Sequence, residues 1–442
     1  MSCQPDALPC RRASPLRRRR PLSVVPLAVA GLVVGCGARI DPQDTLIRGF
    51  ADAAGAKASP SVDLRDAIAA VEQANGLPDQ LVRSEIAPAD NAAVVLADQF
   101  NDLLRSALVA PVERWLDRER FRFDAEELTR IERLVDRHAD RIKQLVAAAE
   151  RPDARFPIAA GYGFFASTAY LDDAAIACRF ELLTAALRLN EGSVAAATAP
   201  LERAAKWIGW LSVEPRLEPR LMAARLRGEW LRAVEAIAEH PSASLADYET
   251  LRRVLVEWLD AWPDDARAIA GDRAATVHAY EAIRAGLLDD LATDDERFRL
   301  QERGVVVDQP LASEIVDADQ LAYLRSVGKV IGLDRRPYFE RGDRQQTVSD
   351  LLKGAGADDG APLAEELFLP GLPTALETFA IDRAGCELWG LALSSAGGFR
   401  LPPQRVNPHS GEPYQVERLP RSLLVRSNDP DLRDAFALVR SE

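Results

Sequence analysis

The sequence predicts a mainly α protein, an irregular array of antiparallel helix pairs carrying a small C-terminal α+β cap. Apolar residues recur at three- and four-residue intervals through most of residues 62–298, the spacing that lines one face of a helix. The breaks between these stretches are short: Asn190-Glu191-Gly192, Pro215 with Pro219, His240-Pro241 and Pro263-Asp264. Short connections make consecutive helices antiparallel neighbours. Beyond Gly397-Gly398 the pattern changes to turn residues and brief β-prone runs. A hydrophobic content of 48%, with abundant Ala and Leu, agrees with a globular helical chain. No fixed period relates the helix pairs, so a repeat array is not indicated.

The first helix opens behind Ser61, a good N-cap residue, with Asp63 in its first turn. It runs through Leu64, Ile68 and Val71 until Asn75-Gly76-Leu77-Pro78 stops it. A second helix is expected over 92–108. A third is expected over 125–149, where Leu128, Ile131, Leu134, Val135, Ile142 and Leu145 keep helical spacing. Arg151-Pro152-Asp153 and Gly161-Tyr162-Gly163 then break the chain. Five helices follow, at 174–189, 194–211, 220–239, 245–262 and 273–291. Five of the seven tryptophans fall in this block: Trp207, Trp210, Trp230, Trp258 and Trp262. Rings at this spacing are expected in helix seams, with a carbohydrate- or peptide-stacking platform as the alternative.

Past Phe298 the texture changes. Gly304-Val305-Val306-Val307 suggests a short strand limited by Pro310, and 319–331 a helix ending at Gly332. The run from Lys353 to Pro362 is rich in Gly, Ala and Asp and reads as a loop. No strand precedes it and no Lys-Ser/Thr pair follows, so a phosphate-binding reading is disfavoured. The last helix spans 373–393. Asn407-Pro408-His409-Ser410-Gly411 should then form a tight turn, because Pro408 fixes one backbone angle and Gly411 permits a positive one. Short strands are expected at 414–417, 422–426 and 436–439. They cannot be stable alone, so they should lie against the last helix through Phe379, Cys386 or Trp389.

Signals for chemistry are sparse. Four histidines occur, His138, His240, His278 and His409. His138 is expected on a charged helix face and His240 at a helix end. His278, with Asp272 and Glu281 near it in sequence, is the one candidate base among them. No Gly-x-Ser-x-Gly elbow and no His-Glu-x-x-His occurs. The acidic run Asp289-Asp290-Leu-Ala-Thr-Asp294-Asp295-Glu296 lacks the ligand order and central glycine of a calcium loop, so it reads as a solvated helix end. Cys178 and Cys386 allow either two buried thiols or a bridge, and no Cys/His spacing supports a structural metal. The expectation is therefore no catalytic, cofactor-binding or metal-ligating set.

The N-terminus is more specific. Arg17-Arg18-Arg19-Arg20 precedes a short apolar run that ends Val33-Val34-Gly35-Cys36, the layout of a secretory signal. The run is too short and too interrupted by Pro21 and Pro26 for a good span, which needs about 20 apolar residues. The ending resembles the lipobox of bacterial lipoproteins, which implies cleavage between Gly35 and Cys36 and a lipid on Cys36. An uncleaved anchor helix, or a signal with an incidental cysteine, is the alternative. Gly37 stands where an aspartate would resemble an inner-membrane retention signal, so the outer membrane is expected rather than the inner. Loss of residues 1–35 leaves 49 basic against 67 acidic residues, a net charge of −18. Such a surface repels nucleic acid and anionic headgroups, so attachment must come from lipid.

Residues 154–157, 178–192, 270–286 and the pair Asn407-Pro-His-Ser-Gly-Glu-Pro-Tyr414 and Arg426-Ser-Asn-Asp-Pro-Asp431 resemble uncharacterised planctomycete-type envelope proteins. The ending is also similar to the C-terminal part of type II secretion major pseudopilins. The resemblance to the planctomycete-type group implies a helix, a Gly-containing loop and a turn leading into two strands. Asn407 replaces the usual aspartate and Ser427-Asn-Asp-Pro replaces the usual close, so no calcium role carries over. The expected organisation is a signal peptide at 1–35, a tether at 36–60, a helical domain at 61–298, a helix/loop connection at 299–372 and the cap at 373–442. The expected role is a non-catalytic scaffold or protein-binding module with an envelope protein partner. An envelope hydrolase with its site in a helical cleft is the alternative.

Overall fold

The computed structural model describes residues 61–440 except 75, 77–80, 82, 85, 157–162, 164–165, 308, 334–335, 342–349, 351, 354–359 and 401–405. The expected signal segment, with Gly35 and Cys36, and the tether lie outside the described residues, as does most of the expected loop at 353–362. Among the described residues are fourteen α-helices and one three-stranded antiparallel sheet. This is the mainly α fold with a small α+β cap that the sequence predicts. None of these helices is long and apolar enough to cross a membrane.

Helix α1 (Val62–Gln73) starts as expected, with the Ser61 side chain accepting the Leu64 N–H. The next two expected helices are each divided. Helices α2 (Ala92–Gln99) and α3 (Asp102–Leu116) part at Asn101, which is extended and accepts the Leu104 N–H at 2.9 Å as an N-cap. Helices α4 (Ala125–Arg137) and α5 (Ala139–Ala149) part at His138, with φ −110° and ψ 18°. The His138 ring turns inward to within 5.9 Å of the Phe180 ring, and its Nδ1 lies 2.9 Å from Arg141. His138 is thus a half-buried junction residue rather than part of a solvated face, and burial lowers its pKa.

Helices α6 (Ala169–Asn190), α7 (Val194–Ser212), α8 (Leu217–Ala238) and α9 (Leu245–Asp260) follow the expected order. Pro219 falls inside the first turn of α8, where a missing N–H costs nothing. Helix α10 (Asp265–Arg284) begins well before the expected position 273, because Asp264 caps it through the Ala266 N–H. Gly286, at φ +86°, ends that run, and the remainder forms α11 (Leu288–Leu291) and α12 (Asp294–Glu302). The expected strand at 304–307 is absent. Gly304 takes φ +79° and the Val305 N–H returns to the Leu300 carbonyl, so this segment closes α12. Helices α13 (Ser313–Leu333) and α14 (Leu372–Ala396) complete the set.

The helices share two hydrophobic cores. The first runs from α2 through α9 and takes in the second half of α14 and the sheet. The second gathers α1, α10–α13 and residues 361–372. Residues far apart in sequence, such as Leu64 and Val316, therefore lie in the same core. The cores meet where α10 crosses the turn between α7 and α8. A Cβ on Gly271 would lie 1.3 Å from the Pro215 carbonyl oxygen, so only glycine permits this approach. Beside it, Asp272 accepts the Leu217 N–H at 3.1 Å. Trp207, Trp210 and Trp230 are buried as expected. Trp258 and Trp262 are half-buried, under the guanidinium groups of Arg220 and Arg227. Cys178 and Cys386 are free thiols in the first core.

The cap is a meander of β1 (Gln415–Arg418), β2 (Ser422–Arg426) and β3 (Ala435–Leu438), with Val416 opposite Val425 and Leu423 opposite Ala437. Leu423, Val425, Ala435 and Ala437 face the core, while β1 is an exposed edge. Tyr414 is buried, and its hydroxyl donates to the Ala384 carbonyl at 3.2 Å. The strands thus lie against α14, as a sheet this small requires.

Candidate functional site

The turn that delivers Tyr414 also builds the most organised polar site. Asn407 is buried, and its Oδ1 accepts the N–H groups of His409 at 2.7 Å and Ser410 at 3.3 Å. The Gly411 N–H donates to the Asn407 carbonyl at 2.8 Å, with φ +79° at Gly411. A Cβ there would lie 2.8 Å from the Phe339 ring, so glycine is needed both for its angle and for space. Asn407 Nδ2 donates across to Ser427 Oγ at 2.9 Å and Asp429 Oδ2 at 3.2 Å. Asp429 Oδ1 accepts the Asp431 N–H at 3.2 Å. Two turns, 407–411 and 427–431, are thereby fastened to each other.

His409 sits between them with 3% of its surface exposed. Its Nδ1 lies 2.5 Å from Asp429 Oδ2. An ionised carboxylate only accepts, so this contact places a proton on Nδ1. The Tyr338 ring stacks on the imidazole at 5.4 Å and 16°, fixing the ring plane. Nε2 is buried with no hydrogen-bond partner and lies 3.6 Å from Glu377 Oε1 of α14. Glu377, His409 and Asp431 each bring a donor atom within 4.8 Å of the others. His409 is buried, Glu377 half-buried and Asp431 exposed, so the group opens to solvent on its carboxylate side.

A second group of carboxylates gathers where the cores meet. Burial raises the pKa of Asp172, Glu214, Glu218 and Asp272, and also that of Tyr170 beside them. Two of these acids are held by cations. Glu214 accepts from Arg83 at 3.0 Å, and Asp272 lies 3.5 Å from Arg216. Nearby in the first core, Arg227 pairs with Asp382, and Arg220 lies 3.3 Å from Asp265.

The remaining sequence candidates stay apart. His240 Nδ1 accepts the Ser242 N–H at 3.2 Å in the turn after α8. His278 packs against Gly163, and burial lowers its pKa. Its sequence neighbours Asp272 and Glu281 are engaged by Arg216 and Arg284. In the acidic run, Thr293 and Glu296 form a capping box while Arg297 pairs with Asp289 and Asp294, so the run holds the start of α12 where a solvated helix end is expected. The sequence reading placed His409 in its turn but gave it no partners. Glu377 and Asp429 lie too far along the chain for any spacing rule to join them.

No protein-family model, no curated protein and no solved structure matches this chain.

Proposed function

We propose that the protein is a bacterial envelope lipoprotein, anchored by a lipid on Cys36, whose helical body is a non-catalytic scaffold for another envelope protein. The order Arg17–Arg20, apolar run, Val33-Val34-Gly35-Cys36 carries this reading. The net charge of −18 beyond residue 35 supports lipid rather than a basic patch as the attachment. More than one acyl chain on the cysteine would make the anchor stable. The Gly37 position favours the outer membrane. Long helix pairs with charged outer faces supply surface for a protein partner and none suited to nucleic acid. Labelling with an alkyne fatty acid tests the anchor: the wild-type chain is expected to take label, and Cys36→Ser to remain unprocessed and unlabelled. Equal labelling of the variant removes the reading. Crosslinking in the membrane followed by affinity isolation tests the scaffold role, with one recurrent envelope protein expected.

The second reading, a hydrolase with its site in a helical cleft, is favoured by the gathering of Asp172, Glu218 and Asp272, whose raised pKa values suit proton transfer. Hydrolysis of envelope glycans or peptides that is lost in Glu218→Gln would select it.

A further inference from the structure

We propose that Glu377, His409 and Asp431 form a binding site for one zinc-class divalent metal ion, with Asp429 orienting the histidine. This goes beyond the scaffold reading and does not depend on it. The proposal stands first on His409 Nε2, a ring nitrogen in a side chain 3% exposed, with no hydrogen-bond partner. A buried polar atom left unsatisfied is destabilising, so such atoms call for a physical reason. The Asp429 contact places a proton on Nδ1, so in the neutral ring the lone pair is on Nε2, within 4.8 Å of carboxylate oxygens of Glu377 and Asp431. A carboxylate behind a ligating imidazole, fixing its tautomer and raising its basicity, is the usual support of a metal-bound histidine.

The distances agree with one ion. Two donors each about 2.1 Å from a tetrahedral centre lie about 3.4 Å apart, and His409 Nε2 and Glu377 Oε1 are separated by 3.6 Å. All three donor atoms lie within 4.8 Å of one another, so a small rotation of the half-buried Glu377 and the exposed Asp431 side chains closes the set. The donor chemistry selects the ion class. One imidazole with two carboxylates suits zinc and its neighbours, whereas magnesium and calcium take oxygen-only sets. Three protein donors leave a fourth position, which faces solvent on the carboxylate side and would hold water.

The site is also preorganised. Asn407 and Asp429 join the two turns, Tyr338 fixes the ring plane, and Glu377 comes from the helix against which the sheet packs. A bound ion would therefore clip the 407–431 segment to α14.

Calorimetric titration of the full chain, freed of metal by chelation, with Zn²⁺ alone tests the proposal. One Zn²⁺ per chain is expected. Glu377→Ala should weaken binding at least tenfold, His409→Ala should abolish it, and Asp429→Asn, a positioning variant, should weaken it tenfold to a hundredfold. The Co²⁺-loaded wild type should show visible absorption bands of a four-coordinate site, displaced in Glu377→Ala. Because His409 and Asp429 are buried, their variants could unfold the cap. Glu377 is half-exposed, so Glu377→Ala should keep the wild-type circular dichroism and give a readout independent of folding. Absence of stoichiometric Zn²⁺ binding, equal affinity in Glu377→Ala, or preference for Ca²⁺ over Zn²⁺ would overturn the site and leave His409 and Glu377 as an ion pair.

Discussion

The two cores bury charge in different ways. In the first, buried carboxylates face guanidinium groups: Arg179 grips Glu229 through two bonds of 2.8 and 3.0 Å, and Arg203 grips Glu181 through two of 2.9 Å. The second also holds such a pair, Arg284 with Asp317 at 2.7 Å, but its Asp319 is held by neutral donors. Its carboxylate accepts the Tyr280 hydroxyl at 2.5 Å and the N–H groups of Leu363 and Ala364 at 2.8 and 2.9 Å. Burial pushes the Asp319 pKa up to about 6. A guanidinium keeps its charge throughout the physiological range, so the first core is locked by pairs of full charges. The second is closed by a carboxylate near the edge of ionisation, which also caps the segment beginning at Leu363. Asp319 thus gives the second core a response to pH near 6, which the guanidinium side of the arginine pairs does not share.

The largest expected effect comes from breaking the first arrangement. Glu229→Ala leaves Arg179 buried with only Glu113, at 3.8 Å, nearby. A destabilisation of about 3–5 kcal/mol is expected in urea unfolding. Replacing both residues, Arg179→Met with Glu229→Leu, should recover most of it, and a double-mutant cycle measures the coupling. Next in size is Asp319→Ala, which strands the Tyr280 hydroxyl and two buried N–H groups and should cost about 2–4 kcal/mol. Hydrogen exchange should locate the loss at residues 361–369 rather than in α6–α9.

Gly271→Ala probes the junction. Alanine improves helix propensity by about 1 kcal/mol. The added Cβ meets the Pro215 carbonyl, however, and overpacking of this kind costs about 1–3 kcal/mol or more. Net destabilisation is expected by thermal unfolding, and a stabilised variant would mean that the cores separate more readily than their packing implies. The smallest effect sharpens the contrast in pH response. The folded Asp319 pKa of about 6 lies above the value of about 3.9 in an unfolded chain. Its contribution to stability is fully present below about pH 4 and lost as pH rises through about 6. Asp319→Asn should flatten the change in unfolding temperature between pH 5 and pH 7 relative to wild type, whereas Arg203→Lys should leave it nearly unchanged.

Local chemistry made most of the helices legible. Ser61 announces its helix because its side chain accepts an N–H of the first turn, as Ser244 does in the structure at the start of α9. The 407–411 turn was readable because Pro408 and Gly411 restrict the backbone without help from elsewhere. His138 was not readable as a break, because what bends the chain there is a ring drawn inward toward Phe180, a tertiary contact. Asp264 is a local signal for the start of α10, since its side chain accepts the Ala266 N–H directly after the break at Pro263. The division into two cores was hidden for the same reason as the His138 break, since α1 packs with α13 across most of the chain. The polar site lay between these extremes. Its histidine and its turn are local, but the acids that give Nε2 a direction come from α14 and from the loop after β2, and only folding brings them together.

The closing of the sheet imposes an order in time. The Tyr248 hydroxyl donates to the Leu438 carbonyl, 190 residues further along the chain. The Arg440 N–H reaches the Ala396 carbonyl at 3.1 Å. The hairpins from α6 to α9 join near neighbours in sequence and can form early, whereas these bonds must wait until residues 435–440 have been made. Until they form, the face of α14 that packs on β2 and β3 has nothing to cover it. A nascent chain of this kind presents an apolar surface between the making of α14 and of β3, when contact with other chains is hazardous. The cap is placed after the helices it covers, and it ends this exposure.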